Sequence, residues 1–221
     1  EDEVNMLKKI GKTFFFNKRK DSIENLIENG YNLAILDDGF QDSSISKNFN
    51  IICFNQKQWI GNGFVIPAGP LRNKLSALKK ADCVFINGNK DTKIENQIYK
   101  ENKNVKIFYS KYKAEDIDRF KEKKICAFAG IGNPSNFFEL LKESNLNLID
   151  TISYPDHHNY SYSEIEKMYN KSNDCILLTT EKDYYRLSLS SILKNFKIEY
   201  LKVRLEIEDK DNFIKTIKEK I

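Results

Sequence analysis

Residues 125–134 read ICAFAGIGNP, an apolar run followed by a glycine-rich turn and a proline. A short apolar run of this kind is typical of a buried strand. Asn133 is a suitable N-cap, Pro134 fits the first turn of a helix, and apolar residues then recur along one face of the following stretch. The segment therefore predicts a strand, a tight turn and a helix over 133–144, the repeating unit of an α/β fold.

The same alternation extends along the rest of the chain. Apolar runs predict strands at 13–16, 33–36, 51–54, 83–86, 105–109, 125–128, 146–153, 176–179 and 198–207. Periodic or capped stretches predict helices at 21–28, 73–80, 133–144, 162–172 and 211–220. Strands separated by helices favour parallel sheets. The charged stretch 111–124 is the weakest apolar region and a candidate linker, so we predict two α/β domains, residues 1–120 and 121–221.

The composition supports a packed core. The 221 residues are 40% hydrophobic and 31% charged, with a formal net charge of +4 that suits an anionic ligand or a membrane surface without requiring either. No run of 18 apolar residues is present, so we expect no membrane-spanning helix. The four cysteines lack the CxxC spacing of zinc sites and are expected to be small buried thiols: Cys53, Cys83, Cys126 and Cys175.

An acidic turn follows the predicted strand at 33–36. Asp37 and Asp38 would lie at the carboxyl end of that strand, where open α/β sheets bind ligands. One carboxylate there can hold Mg²⁺ while the other orients a water or a substrate hydroxyl. Gly39 permits a sharp turn, and Gln41 adds a neutral polar group. The alternative is an ordinary Asp-Asp-Gly turn between two strands.

Two glycine-rich stretches are predicted to be loops of defined shape. Residues 61–72 contain three glycines and two prolines and end in Arg72, whose guanidinium matches phosphate oxygens in a bidentate way. Residues 130–132 form a Gly-Ile-Gly turn before a predicted helix and can bind an anion. A simple tight turn is the alternative there, because Ser135 stands where the dinucleotide fingerprint has its third glycine.

Two further loops carry polar side chains after predicted strands. His157 and His158 are adjacent in one of them, and one of the pair can orient or polarise a carboxylate base. Solvent-facing loop histidines are the alternative. In the other loop, Thr180 and Asp183 can cap the next helix or contact substrate or nucleotide, and Lys182 can contact a phosphate.

These segments, in this order, closely resemble the tetraacyldisaccharide 4'-kinases, the lipid A kinases of Gram-negative bacteria. The segments are 37–41, 61–72, 128–134, 154–158 and 179–183. The resemblance runs from Asp2 to about Arg186. It implies a fold like that of P-loop kinases and transfer of the γ-phosphate of ATP to the 4'-hydroxyl of a tetraacyl disaccharide 1-phosphate.

The resemblance also implies roles for residues of the acidic turn. Asp37 and Asp38 match the segment that binds Mg²⁺, with Asp38 also catalytic and Asp37 and Gln41 beside the nucleotide. Two positions depart from the pattern. Asp42 stands where the family usually has His, and Asn73 where it commonly has an acidic residue, which leaves metal and substrate positioning less defined.

The proposed base and the acceptor site are implied in the same way. Asp2, which opens an acidic pair, and His157 match an Asp–His dyad that takes the proton from the attacking sugar hydroxyl. Arg72, Asn62 and Gly69, in the loop at 61–72, are the predicted substrate contacts.

The Gly-rich ATP-binding loop of the family lies upstream of the acidic pair and is not found in these residues. Gly11-Lys12-Thr13 looks like the end of a Walker A loop, but Met6 occupies the position of its first glycine. We therefore expect the chain to be a C-terminal portion that has no kinase activity alone. The resemblance further implies a monomer at the cytoplasmic face of the bacterial inner membrane, bound peripherally, with no nucleic-acid partner.

Two other function classes remain open from the sequence. One is a nucleotide-independent binding module that keeps only the site for the acylated sugar phosphate. The other is an unrelated α/β hydrolase, similar to a phosphatase, with Asp37 as its nucleophile. Binding of the acylated disaccharide without ATP would identify the first, and release of phosphate from a phosphoester would identify the second.

Overall fold

The chain folds into two units, each built on a four-stranded sheet. The computed structural model describes residues 8, 11–14, 18–172 and 174–221. The first unit, here the Asp38 unit, consists of Phe14–Lys111 and Leu205–Ile221. The second, here the His157 unit, consists of Tyr112–Arg204 together with the described residues before Phe14. The α/β class predicted from the sequence is confirmed, and the assignment of 1–120 to a P-loop-kinase-like domain stays a prediction.

The Asp38 unit contains one sheet with the strand order β1-β2-β3-β8. Its strands are β1 Ile51–Asn55, β2 Cys83–Asn87, β3 Lys106–Ala114 and β8 Val203–Ile207, the last two continuing across the boundary between the units. Its helices are α1 Arg19–Glu28, a 3₁₀ helix Leu75–Lys80, α2 Thr92–Glu101 and α7 Lys210–Lys218. β2 pairs in parallel with both β1 and β3.

Strand β2 is buried on both faces, which explains its uninterrupted apolar sequence. Val84 and Ile86 pack with Ile94 and Ile98 of α2 on one face. Cys83 and Phe85 pack with apolar side chains of β3 and α7 on the other. Because successive side chains of a strand point to opposite faces, a parallel strand covered on both sides must be apolar throughout.

The His157 unit contains a sheet whose strands all pair in parallel, with the order β5-β4-β6-β7. Its strands are β4 Lys124–Ala129, β5 Asn147–Ser153, β6 Ile176–Thr180 and β7 Ile198–Leu201. Its helices are a 3₁₀ helix Ile117–Phe120, α3 Pro134–Glu143, α4 Tyr162–Lys171, α5 Glu181–Ser188 and α6 Ile192–Asn195.

Helices cover both faces of this second sheet. Ile125 and Ala127 of β4 pack in one cluster with Leu141 of α3. Phe128 of the same strand packs in another cluster with Ile165 of α4. Strand β4 is therefore central, and the turn that follows it is held between packed elements.

Most predicted elements are confirmed, with local changes. The strands at 51–54, 83–86, 125–128, 146–153 and 176–179 are present, as are the helices at 21–28, 133–144, 162–172 and 211–220, within a few residues. The segment at 73–80 is a 3₁₀ helix, and 198–207 is two strands that part at Lys202. Residues 15–16 of the strand predicted at 13–16 lie outside the described residues.

The stretch 111–124, proposed as a linker, contains the end of β3 and a 3₁₀ helix whose Phe120 is completely buried, and the two units divide at its start, between Lys111 and Tyr112. The expectation that all four thiols are buried is wrong. Cys53 is exposed, since β1 is the edge strand of its sheet, whereas Cys83 is buried and the remaining two thiols are partly buried. None of the helices in the described part of the chain has the length and apolar composition needed to cross a bilayer.

Candidate active site

The acidic turn of the Asp38 unit does not follow a strand. Residues 33–36 have no regular secondary structure, and Leu33 and Ile35 are 56% and 91% exposed. The strand predicted there is wrong. An apolar run becomes a strand only when a neighbouring strand pairs with its backbone groups, and within the described residues no ladder includes 33–36.

Arg19 shapes the acidic turn. Its Nη2 donates to the backbone carbonyls of Asp37 and Asp38, at 2.9 Å and 3.1 Å. Its Nη1 lies 3.5 Å from Oδ2 of Asp42. The φ of Asp38 is 50°, in the left-handed region that Asp enters more readily than most residues. The turn therefore exposes two adjacent carboxylates, and their backbone carbonyls are held by the Arg19 guanidinium.

Asp42 makes its hydrogen bonds within the turn. Its Oδ1 accepts hydrogen bonds from the backbone N–H and the hydroxyl of Ser44, at 2.8 Å and 2.5 Å. The hydroxyl bond first, and then the backbone bond, hold the pKa of Asp42 below its usual range. Lys47 Nζ donates to the carbonyls of Asp42 and Gly39. A Cβ at Gly39 would lie 2.6 Å from Cβ of Leu36, so the turn requires glycine.

Arg72 reaches the acidic turn from the glycine-rich loop. Its Nη1 forms an ion pair with Oδ2 of Asp38, and both side chains are 60% exposed. The hydrogen bond from Arg72 is the main cause of a lowered pKa at Asp38, and the same bond raises the pKa of Arg72. The structure thus brings together two predicted site residues that lie far apart in the sequence.

Asn62 and Gly69 give the loop its shape. The Asn62 side chain donates to the carbonyl of Ala68 at 2.8 Å and accepts from the backbone N–H of Phe64 at 3.1 Å. A Cβ at Gly69 would overlap the Phe64 carbonyl and the Asn62 side chain. In this structure both residues therefore have a structural role, and their contact with substrate stays a prediction.

The donor set of the turn fits a magnesium ion that also binds phosphates. Within the described residues no three His, Cys, Asp or Glu side chains gather into a metal site. Asp37 and Asp38 supply two exposed carboxylates, and Mg²⁺ is typically held by one or two carboxylates, with water and phosphate oxygens completing its shell. Gln41 is exposed at the end of the same turn.

A buried charge pair lies in the His157 unit. The Asp183 side chain is completely buried, and its Oδ2 accepts from the Gly130 N–H at 2.9 Å and the Thr180 hydroxyl at 2.8 Å. Its Oδ1 lies 2.9 Å from Nη1 of Arg186. Thr180 caps α5 by accepting from the Asp183 N–H at 3.1 Å, which confirms the capping prediction for this segment.

The two histidines have different surroundings. His158 is 23% exposed, with its Nε2 3.1 Å from Oε1 of Glu164 and its ring stacked on Tyr154 at 4.5 Å. His157 is 56% exposed, with φ of 58° and its Nε2 3.9 Å from Oδ2 of Asp156. His157 is therefore the more exposed of the two histidines, and its catalytic role stays a prediction. Asp2, its predicted partner, lies outside the described residues.

Sequence reasoning missed two arginines. Arg186 is three residues after Asp183 on the same helix, a spacing at which opposite charges meet, so the pair was open to prediction. Arg19 lies 18 residues before Asp37, and its contact depends on a turn that no local pattern defines.

Comparisons with known proteins show which family the chain belongs to. A family model described as tetraacyldisaccharide-1-P 4'-kinase matches residues 2–221. The tetraacyldisaccharide 4'-kinase of Pelagibacter ubique is 40% identical over 216 residues, 96% of this chain and 68% of that protein. The enzyme of the same name from Rickettsia typhi is 35% identical over 213 residues, 95% of this chain and 64% of its own length.

A solved structure shares the fold. The crystal structure of LpxK from Aquifex aeolicus in complex with ATP matches with a TM-score of 0.55 and 22% sequence identity, over 82% of this chain and 55% of that one. The chain thus spans about two thirds of the relatives named above and about half of the solved chain. With the family model matched from residue 2 to residue 221, the chain belongs to the tetraacyldisaccharide-1-P 4'-kinase family.

Proposed function

We propose that this chain carries the metal-binding and acceptor-binding segments of a kinase that transfers the γ-phosphate of ATP to the 4'-hydroxyl of a tetraacyl disaccharide 1-phosphate. Family membership supports this reaction. The observation that carries the assignment to particular residues is the ion pair between Asp38 and Arg72, because it joins a carboxylate suited to Mg²⁺ with a guanidinium suited to phosphate.

Asp37 and Asp38 are the proposed ligands of Mg²⁺, which would supply charge stabilisation to the phosphoryl group in transfer. Both carboxylates are exposed, and the pKa of Asp38 is lowered, so that group is ionised at neutral pH and ready to bind a cation. Gln41, in the same turn, is proposed to lie beside the nucleotide. The role of Asp38 in catalysis follows from this position next to the transferred charge.

Arg72 is the proposed contact to a phosphate of the acceptor. A guanidinium already hydrogen bonded to one oxygen of Asp38 keeps further N–H groups available for phosphate oxygens. Asn62 and Gly69 support this role by fixing the loop that presents Arg72, and their direct contact with substrate is part of the same proposal.

His157 and Asp2 are the proposed dyad that removes the proton from the acceptor hydroxyl. His157 supports its part through exposure and through Asp156, whose carboxylate lies 3.9 Å from the imidazole. In this assignment Asp2 accepts the hydroxyl proton and His157 orients and stabilises that carboxylate, as general-base catalysis requires.

Peripheral binding at the cytoplasmic face of the inner membrane is the proposed location, because the proposed acceptor is a lipid. Phe64 and Ile66, in the loop that ends at Arg72, are each 63% exposed. Exposed apolar side chains with a nearby cation in sequence are typical of segments that enter an anionic membrane surface. We propose that the enzyme acts there as a monomer without a nucleic-acid partner.

The proposed function is tested by phosphoryl transfer in a protein that contains residues 1–221. Labelled ATP and a tetraacyl disaccharide 1-phosphate should yield a labelled bisphosphate, and Asp38→Asn should lower kcat by about 10²–10³ with little change in KM. Asp118→Asn, which removes another exposed carboxylate, is the matched control and should leave kcat unchanged.

Other outcomes point to the other two function classes. Tight binding of the disaccharide with no dependence on ATP and no transfer would favour a binding module. Release of inorganic phosphate from a phosphoester, abolished by Asp37→Asn, would favour a hydrolase.

A further inference from the structure

Three segments that the sequence singled out meet at one buried charge pair. Asp183 belongs to the segment 179–183, and its carboxylate accepts the N–H of Gly130, from the Gly-Ile-Gly turn, at 2.9 Å. Arg186 lies 2.9 Å from the same carboxylate and is only 9% exposed. A completely buried carboxylate is tolerated only with such partners, since an unpaired buried charge is strongly unfavourable.

Arg186 also binds the histidine loop. Its Nη1 lies 3.3 Å from the carbonyl oxygen of Gly130 and 3.3 Å from that of His158. The backbone N–H of His157 donates to the same Gly130 carbonyl, at 3.2 Å, and to Oδ1 of Asp156 at 2.9 Å. The Arg186 guanidinium therefore contacts two carbonyls of the histidine loop's surroundings. One is that of Gly130, which accepts the His157 N–H, and the other is that of His158.

The backbone of His157 needs such support. Its φ of 58° lies in the left-handed region, which residues other than glycine rarely adopt. Conformations of this kind persist where the surrounding structure fixes them, and they are frequent at functional sites. This backbone conformation fixes the direction of the Cα–Cβ bond of His157 and thereby limits the rotamers that its imidazole can adopt.

We propose that Asp183 and Arg186 are a positioning pair that fixes the backbone of 156–158 and thereby the direction of the His157 imidazole. The pair does not contact substrate. Its importance for the reaction rests on the proposed function, in which His157 belongs to the base, whereas its effect on the loop does not depend on that assignment.

The loop itself provides a test by NMR that does not use activity. The chain contains two histidines, so the imidazole spectrum has two sets of resonances that His157→Ala and His158→Ala assign. Arg186→Gln should move the His157 resonances and speed exchange of the His157 backbone amide at least tenfold beyond the change in global stability. The His158 carbonyl also contacts Arg186, but its ring is held by Glu164 and Tyr154, so the His158 resonances should move less than those of His157.

Two further variants separate positioning from a general loss of stability. Arg119→Gln removes an exposed partner of Glu199 in the same unit, and it should leave both histidines unchanged. Arg186→Lys keeps the charge, but a single ammonium group does not reproduce the fork of a guanidinium, so the His157 signals should move in the same direction by a smaller amount.

The native protein is informative even where Arg186→Gln fails to fold. In the native protein the His157 amide should exchange as slowly as the Gly130 amide. The Gly130 N–H donates to Asp183, and the His157 N–H donates to the Gly130 carbonyl that Arg186 contacts. An unprotected His157 amide in the native protein, or His157 resonances that stay in place in Arg186→Gln, would overturn the positioning role.

Kinetics then link the pair to the reaction. Arg186→Gln should lower kcat by about 10- to 100-fold with KM within about twofold, since a misplaced catalytic group costs turnover rather than binding. In a His157→Ala background the same change should have no further effect. These rates are measured in the longer protein that contains residues 1–221. If that protein is active and the losses from Arg186→Gln and His157→Ala multiply, the coupling is overturned. If it transfers no phosphate while the NMR shifts are as expected, the proposed function is refuted and the positioning role stands.

Discussion

Arg72 Nη1 and Asp38 Oδ2 form an ion pair between residues that are 34 positions apart in the sequence. The pair is 60% exposed on both sides, so ions in solution have access to it. A cation binding at Asp37 and Asp38 competes with Arg72, and an anion binding at Arg72 competes with Asp38. The two proposed ligands of this turn, magnesium and phosphate, are therefore coupled through one contact.

We predict that Arg72→Gln strengthens the binding of a divalent cation in the absence of nucleotide and weakens the binding of phosphate. Removing a competing positive charge at an exposed site changes affinity by about two- to fivefold. Mn²⁺ titration followed by electron paramagnetic resonance measures the first effect. Arg119→Gln, at an exposed pair in the other unit, should leave Mn²⁺ affinity unchanged. Equal affinities in Arg72→Gln and the native protein would contradict the coupling.

The acidic residue of the α4 capping box predicts a pH-dependent stability. Glu164 accepts the Ser161 backbone N–H at 2.8 Å and the Ser161 hydroxyl at 2.7 Å, and it lies 3.1 Å from His158 Nε2. These contacts, the backbone bond first, lower the pKa of Glu164 from its ordinary value of 4.5. Because the folded-state pKa is the lower one, the stabilisation is present above about pH 4.5 and is lost as the pH falls through the folded-state pKa.

Glu164→Gln should therefore lower the free energy of unfolding at pH 7 and have little effect near pH 3. The carboxylate is about one third exposed, so solvent screening limits the difference at pH 7 to about 0.5 kcal/mol. Urea unfolding at both pH values measures it. Glu166→Gln, on the exposed side of the same helix, is the matched control. If the difference in unfolding free energy between Glu164→Gln and the native protein is larger at pH 3 than at pH 7, the prediction is wrong.

The buried hydroxyl of Tyr160 predicts a stabilising substitution. Among the described residues no group forms a hydrogen bond of good geometry with this oxygen, while burial, followed by the charge and the proximity of the Asp183 carboxylate, raises the pKa of Tyr160. Since an unsatisfied buried hydroxyl costs about 1–3 kcal/mol, Tyr160→Phe should raise the free energy of unfolding by about 1 kcal/mol. Tyr154→Phe removes a hydroxyl that contacts Met168 sulfur at 3.6 Å and should not stabilise. Thermal and urea unfolding of both variants decide the point.

The elements that could be predicted from the sequence are those whose own apolar pattern shows which of their faces are buried. Strand β2 is covered on both faces and is apolar at every position from Cys83 to Ile86, so its pattern defines it. Helix α2 was missed because only Ile94 and Ile98 of its ten residues are buried. Its available signal was Asp91, which caps the helix by accepting from two backbone N–H groups.

The parts that could not be predicted depend on distant partners. The run at 33–36 is as apolar as a strand, but pairing is decided by a neighbouring edge that the run itself does not specify. Asp38 and Arg72 were both identified as site residues, each for an external ligand, and their mutual contact was not foreseen. Local patterns identify residue types suited to a chemistry, whereas the contacts between such residues depend on how separate loops fold.

The exposed apolar pair of the loop that ends at Arg72 predicts binding to an anionic membrane. Phe64 and Ile66 are each 63% exposed, and fully burying such a side chain is worth about 1.5–3 kcal/mol, of which insertion into a bilayer interface recovers a part. Phe64→Ser with Ile66→Ser should therefore weaken binding to vesicles of phosphatidylglycerol and phosphatidylethanolamine by about tenfold, measured by sedimentation. The matched control is Ile27→Ser with Leu189→Ser, two apolar side chains outside the loop that are each 67% exposed. An equal loss of vesicle binding in both double variants would show that binding depends on surface hydrophobicity in general. It would contradict a specific role for the loop in membrane binding.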